Sequence, residues 1–335
     1  MKKIILFLTI ILSATILKAQ ISAYQAGAYQ PGIMNVRDLA TLDSPGLIFI
    51  DYNYWNNSNS YYDRNGNQVN SLTLGNTTLD LNQQVGGYIN VPVLFYASSL
   101  KILGGKYMAS VAPLYLSSNF RMNIHADATD STVTSTGNTG GLGDIAIMPF
   151  GLGWSFNNKV DVSFFYTMYA PTGKYTEGAS DNVGRGYWTH QFQVPAYFYF
   201  AEKATALFVM PTYEMNGKIK GADARAGNRL TVEYGLSQYL TSWLEVEVLN
   251  GHNWQLNDDT GSDVWWNNTQ LDVHDYTSTF SVGAGVWPVE GKLNLRVKYA
   301  MDYKVKQRYK SNFWSFSAIF IPNLLTGKGK DKKAE

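Results

Sequence analysis

The chain has no cysteine. Disulfides and thiolate metal sites are therefore excluded, and the fold has to hold without covalent staples. It has almost no net charge either, with 27 basic residues against 26 acidic ones. That balance gives no electrostatic footing for nucleic acid. Histidines are few, and His125, His190, His252 and His274 are scattered without metal-ligand spacing. Long apolar runs are missing beyond the N-terminus, and none reaches the ~18 residues a transmembrane helix needs. The one early run, residues 4–12, follows Lys2 and Lys3 and precedes the small residue Ala19. It reads as a secretory signal over residues 1–20. Its removal takes away Lys2, Lys3 and Lys18, leaving 315 residues with 24 basic and 26 acidic groups.

What the chain has in abundance is alternation and aromatic rings, with 23 Tyr, 16 Phe and 9 Trp. Apolar and polar residues alternate through about a dozen stretches, the pattern of strands with two unlike faces. The expected strands cover residues 47–55, 84–97, 104–119, 142–154, 160–168, 188–200, 205–214, 229–239, 243–249, 276–287, 292–303 and 312–321. Connections are alternately long and short. The Thr/Ser/Gly-rich stretch 121–141 reads as a long loop, and residues 157–158 and 202–203 read as tight turns. Sorting of connection length by parity, with an even strand count, is what outer-membrane barrels show. The expected fold is therefore all-β: a transmembrane, antiparallel, up-and-down β-barrel of about 12 strands in the bacterial outer membrane. Its expected divisions are the signal (1–20), an N-terminal segment (21–46), the barrel (47–321) and a polar periplasmic tail (322–335).

Residues 20–45 are turn-rich and lack periodicity. They read equally well as a plug folded into the lumen or as a periplasmic strap, with Tyr29, Pro31, Arg37 and Asp38 as the plug candidates. Pro92, Pro195 and Pro211 interrupt expected strands, where a lost ladder donor predicts bulges.

Side-chain parity assigns a lumen set. In the first strand Ile48, Ile50, Tyr52 and Tyr54 share one face, which places Asp51 and Asn53 on the other, toward the lumen. The same reasoning places Asp161, Arg229, Glu233, Glu245, Glu247, Arg296 and Lys298 inward. Arg or Lys on the lipid face would cost ~2–4 kcal/mol at the midplane. The set reads either as a charged pore lining or as an ion-paired network filling a narrow barrel.

Chemistry-bearing motifs are sparse. Residues 257–263 gather Asp258, Asp259 and Asp263 without the full spacing of a helix-loop-helix calcium site. No Gly-x-Ser-x-Gly elbow occurs, and no Ser/His pair across neighbouring strands is identifiable. The expectation is a protein without catalytic residues, metal or cofactor.

Several segments in order resemble one family. They are Tyr29-Gln30-Pro31-Gly32, Arg37-Asp38, Pro45-Gly46-Leu47, Lys101-Ile102-Leu103-Gly104-Gly105 and Gly141-Leu142-Gly143-Asp144. Ala170-Pro171-Thr172-Gly173-Lys174-Tyr175, Asn182-Val183-Gly184-Arg185-Gly186-Tyr187-Trp188 and Tyr213-Glu214-Met215-Asn216-Gly217 follow. Together they resemble the outer-membrane family named for the meta-pathway of phenol degradation, distantly like the long-chain fatty acid channels. The resemblance implies a barrel for passive uptake of small hydrophobic or aromatic compounds. Its implied contacts are the solute, the bilayer with its lipopolysaccharide, and the barrel-assembly machinery. The alternative is a structural or adhesive barrel that binds external ligands through its long loops.

Overall fold

Alternation of this kind produces strands wherever the structure can be followed. The computed structural model describes residues 27–42, 44–74, 77–126, 129–177, 179, 181–262 and 274–322. The expected signal over 1–20 and the tail from 323 onward lie outside the described residues.

The strands are β1 (Gly46–Tyr62), β2 (Ser71–Leu74), β3 (Thr77–Ile102), β4 (Gly105–Ala126), β5 (Ser131–Phe156), β6 (Val160–Ala170), β7 (Thr189–Gln193) and β8 (Ala196–Phe200). They continue as β9 (Thr205–Asn216), β10 (Ala224–Arg225), β11 (Arg229–Tyr239), β12 (Leu244–Gln255), β13 (Thr260–Gly261), β14 (Tyr276–Val289), β15 (Leu293–Lys306) and β16 (Arg308–Phe320). β7 and β8 are halves of one spanning strand, both pairing with β6 and β9. The short strands β2, β10 and β13 lie outside the wall, which leaves a twelve-stranded closed antiparallel barrel. Closure is direct, since Phe49 of β1 pairs with Leu94 of β3 on one side and Phe320 of β16 on the other.

Tight turns gather at one end. Leu103-Gly104 (φ 51° and 78°) and Asn157-Asn158 (φ 50° and 55°) both hold two successive left-handed residues. That backbone matches the twist of the strands they join. Exposed Phe156, Phe200 and Trp243 ring this end. Toward the other end Trp55 stacks near Tyr88 (5.3 Å) and Tyr299 near Trp314 (4.9 Å). Exposed Phe49, Leu94, Val111, Leu236, Val282 and Val297 lie between these two rings. This is the aromatic-bounded apolar band of a membrane barrel.

Two expectations need correction. Residues 121–141 are not a loop: β4 runs to Ala126 and β5 starts at Ser131. β3 and β5 reach 26 residues each, well past the roughly 9–11 that span a membrane. The inner face of this extension buries Leu79, Met122, Ile124 and Ala126, and the Thr-rich partner strand suits a pleated surface. The link before the last strand is likewise a single left-handed residue, Gln307, because β15 and β16 both extend to meet it.

The prolines fall in facing places. The β3–β4 ladder runs from Asn90↔Tyr115 to Leu94↔Val111 without a register change, so Pro92 stands opposite Pro113 where pairing is interrupted. Pro195 splits β7 from β8, and there the Val194 N–H donates to the carbonyl of Pro211 (3.1 Å). At Pro92–Pro113 one gap takes up both prolines, whereas the donors missing at Pro195 and Pro211 fall on opposite sides of the same strand, facing Ser163 and Val194. No bulge is recorded at Pro211, whose neighbours keep register with β11.

Candidate functional site

The barrel interior has two unlike halves. The inner face of β9 to β15 carries ionisable groups, and residues 27–42 lie against it. This segment has no ladder partner, so its backbone donors need acceptors from elsewhere. Wall carboxylates supply them. The N–H of Tyr29 donates to Glu214 Oε1 (2.8 Å), that of Gly32 to Glu233 Oε1 (2.6 Å) and that of Val36 to Glu247 Oε2 (2.8 Å). The Tyr29 hydroxyl also donates to Glu233, and Lys298 Nζ donates to the Met34 carbonyl (2.6 Å). Gln30-Pro31-Gly32-Ile33 forms a turn with Gly32 at φ 84°, the Pro-then-Gly order that such a turn favours. Pro31 packs over Gly251, where a side chain would collide with it.

A guanidinium cluster holds the segment further along. Arg296 reaches Asp38 Oδ1 and Glu245 Oε2, each at 2.8 Å. Arg37 Nε lies 3.2 Å from Glu245 and its guanidinium 4.6 Å from the Tyr239 ring centre. On the apolar side of the segment, Val36 and its neighbours Ile33, Met34 and Leu39 pack with Tyr197, Phe208, Met210 and Leu249.

The structure brings together most of the residues singled out from parity. Arg229, Glu233, Glu245, Glu247, Arg296 and Lys298 face the interior, none more than 5 % exposed. Arg229 pairs with Asp275 and also donates to Asn253. Asp161 is buried, accepting from the Tyr199 hydroxyl (2.9 Å). Tyr29, Pro31, Arg37 and Asp38 all contact inward-facing groups. Glu214 and Asp275 belong to the same face but sit at strand margins, where alternation gives no parity.

Asp51 and Asn53 depart from expectation, because they face outward. Tyr52 and Tyr54 take the inner face, their hydroxyls donating to Asp38 Oδ2 (2.8 Å) and the Ile33 carbonyl (3.0 Å). The amphipathic tyrosines thus outcompete the smaller polar residues for the lumen. On the outer side Asp51 accepts from Asn90 Nδ2 (2.7 Å) and Asn53 Nδ2 (2.8 Å), so the polar groups satisfy one another.

The other half of the interior is apolar. Ile89, Val91, Val93 and Phe95 of β3, with Leu114 and Leu116 of β4, have the parity opposite to exposed Leu94, Tyr96, Val111 and Tyr115. They point inward and are only half-buried. Phe95 leads down to Leu39 and Leu42 of the N-terminal segment. Sequence reasoning missed this lining because residues 91–96 are apolar on both faces, which erases the period-2 signal. It passes beside the Pro92–Pro113 interruption.

Outside the lumen, Asp258 pairs with His274 (2.5 Å) while Asp259 accepts from the Gly227 N–H (2.7 Å). These carboxylates are directed apart, and Asp263 lies outside the described residues. A Ser/His pair does exist: His252 Nδ1 stands 2.8 Å from Ser278 Oγ on the outer face. Ser278 is 1 % exposed, and among the described residues the other ring nitrogen meets only the Tyr234 hydroxyl at 3.4 Å. The pair lacks the orienting carboxylate and the access that an activated nucleophile uses.

Residues 58–318 match the family described as the MetA-pathway of phenol degradation. The chain belongs to this family. No curated protein sequence matches it. Among solved structures, an outer membrane channel from Pseudomonas putida F1 is 16% identical with a TM-score of 0.64, covering 88% of this chain and 99% of its own. Looser likenesses are the TodX monoaromatic hydrocarbon channel (9% identity, TM-score 0.47, 86% of this chain and 92% of its own) and a Pseudomonas aeruginosa FadL homologue (11%, 0.41, 83% and 90%). At these identities the likeness of the family member to the first structure is one of fold.

Proposed function

We propose that this family member is an outer-membrane channel that passes small hydrophobic or aromatic compounds by passive diffusion. The observation that carries the reading is the divided lumen: the ionised face is occupied by residues 27–42, and the half-buried face beside it is aliphatic. A solute following the free face meets Ile89, Val91, Val93, Leu114 and Leu116, where an apolar molecule loses little on leaving lipid and a charged one finds no partner. Residues 21–46 then act as a plug that narrows the lumen, held by Tyr29, Pro31, Arg37 and Asp38. The ionised wall serves as its ion-paired seat rather than as a pore lining.

The chain carries no catalytic role in this account. Residues 1–20 direct export, and 322–335 form a periplasmic tail. The barrel is inserted by the barrel-assembly machinery and sits among lipopolysaccharide. Exit is lateral, through the wall at the Pro92–Pro113 interruption, because the apolar face passes that point beside the plug, where Val91 neighbours Tyr52 and Tyr52 holds Asp38.

The adhesive alternative draws support from the long β3–β5 extension beyond the membrane band. Uptake by intact cells separates the two. A deletion strain is expected to take up a radiolabelled monoaromatic compound more slowly than wild type, with recovery when the chain is restored. Equal rates in all three strains would remove the channel reading and leave the adhesive one.

A further inference from the structure

The outer face carries a feature that solute passage does not use. Along β15 the residues up to Tyr303 alternate regularly, with Val297, Met301 and Tyr303 exposed. A bulge then sets Ser278 opposite Lys304 and Thr279 opposite Asp302, leaving Tyr303 as the extra residue. Parity flips there. Val305 turns inward and is buried, while Lys304 and Lys306 are thrown outward beside Tyr303. Unbroken alternation would have hidden both ammonium groups in the lumen; bulges commonly re-aim side chains in this way.

Lys304 Nζ lies 5.8 Å from the Tyr276 ring centre. Among the described residues neither Lys304 nor Lys306 has a carboxylate partner, and the nearby Asp258 is engaged by His274. Beside them lies an aromatic shelf, in the same pair rows. His252 sits between Tyr276 and Trp254 (ring centres 6.4 and 5.5 Å), and Asn250 Nδ2 donates to the Tyr303 hydroxyl (3.2 Å). One pair row further toward the tight-turn end, a groove of about 450 Å³ opens on the lipid face, lined by Phe198, Leu207, Tyr234, Leu236, Val248 and Phe280. Registers make the surface continuous, with Lys304 opposite Ser278, Ser278 opposite His252, and Phe280 opposite Asn250.

Two cations at the long-loop end, an aromatic and amide shelf at headgroup depth and an apolar groove beneath have the layout of a lipid with an anionic head. We infer that this face of β11 to β15 binds a phosphorylated, acylated glycolipid of the outer leaflet, its phosphate on Lys304 and Lys306 and an acyl chain in the groove. Charge complementarity decides the occupant, because two unpaired ammonium groups above lipid attract phosphate and a neutral lipid would leave them unused. The inference rests on the outer-membrane placement proposed above.

Native mass spectrometry of the full-length barrel in detergent tests it, with diphosphoryl lipid A as the probe and phosphatidylglycerol as the competitor. Wild type is expected to retain lipid A in preference to phosphatidylglycerol. Lys304→Ala with Lys306→Ala is expected to lower retention at least tenfold, and Val248→Trp, which fills the groove without touching the charges, is expected to lower it as well. Retention unchanged in both variants, or equal binding of phosphatidylglycerol, overturns the site. Fractionation distinguishes the failures: a chain absent from the outer membrane sinks the placement, whereas an inserted barrel that holds no lipid A sinks this inference alone.

Discussion

At the scale of single residues, the ionised lumen face works as a set of paired demands. Arg296 is the shared partner of Asp38 and Glu245, and removing one member of a buried pair costs about 3–5 kcal/mol because the rest stay uncompensated. Arg296→Met should therefore lower the unfolding free energy of the barrel, measured by urea titration in liposomes, by that order. It should also raise ion conductance, as residues 27–42 lose their anchor; unchanged conductance would show that the segment is held elsewhere. A second test lies outside the membrane. Burial pushes the Asp259 carboxyl up to about 6, against the opposing help of the Gly227 N–H and Arg229. The folded loop thus binds this proton more tightly than the unfolded chain does, so its contribution is complete below about pH 4 and fades as pH rises through 6. Protection of the Gly227 amide, corrected for intrinsic exchange, should fall from pH 4 to pH 7, and Asp259→Asn should flatten that slope. The residue scale is also where sequence parity misled. Polarity alone assigned Asp51 and Asn53 inward, yet which polar group wins the lumen depended on Asp38 and the Ile33 carbonyl. Those partners come from a distant, aperiodic segment.

At the scale of elements, alternation made the strands legible, from the clear β6 to β15, and connection parity gave their order. Two features escaped it. The Thr-rich stretch within 121–141 looked like a loop because small polar residues mark both turns and exposed strands. The pairing of prolines across strands was invisible because it depends on register, which a single sequence does not display. The Pro92–Pro113 interruption carries a prediction of its own. Pro92→Val with Pro113→Val restores two donors and lets the ladder close. Aromatic uptake should drop several-fold while thermal stability rises, since the wall gains pairing where lateral exit needs a gap. Unaltered uptake in a stabilised double variant would place the exit along the barrel axis instead.

At the scale of the whole molecule, the proposal is that a narrow barrel becomes selective by filling one side. Residues 27–42 satisfy their backbone on wall carboxylates and leave free the face that offers no charge. The strand count, the closed wall and the ionised face from Arg229 to Lys298 could be read from the sequence. The division of the lumen could not, because Val91 and Val93 show their role only once the opposite wall is seen to be occupied. The most direct test puts a charge into the free face. Initial uptake of a radiolabelled monoaromatic compound is measured in intact cells carrying wild type or Val91→Arg, with equal barrel content checked by heat-modifiable mobility. At least a tenfold loss of uptake in the variant is predicted, and uptake unaffected by the arginine would contradict an apolar path along β3 and β4.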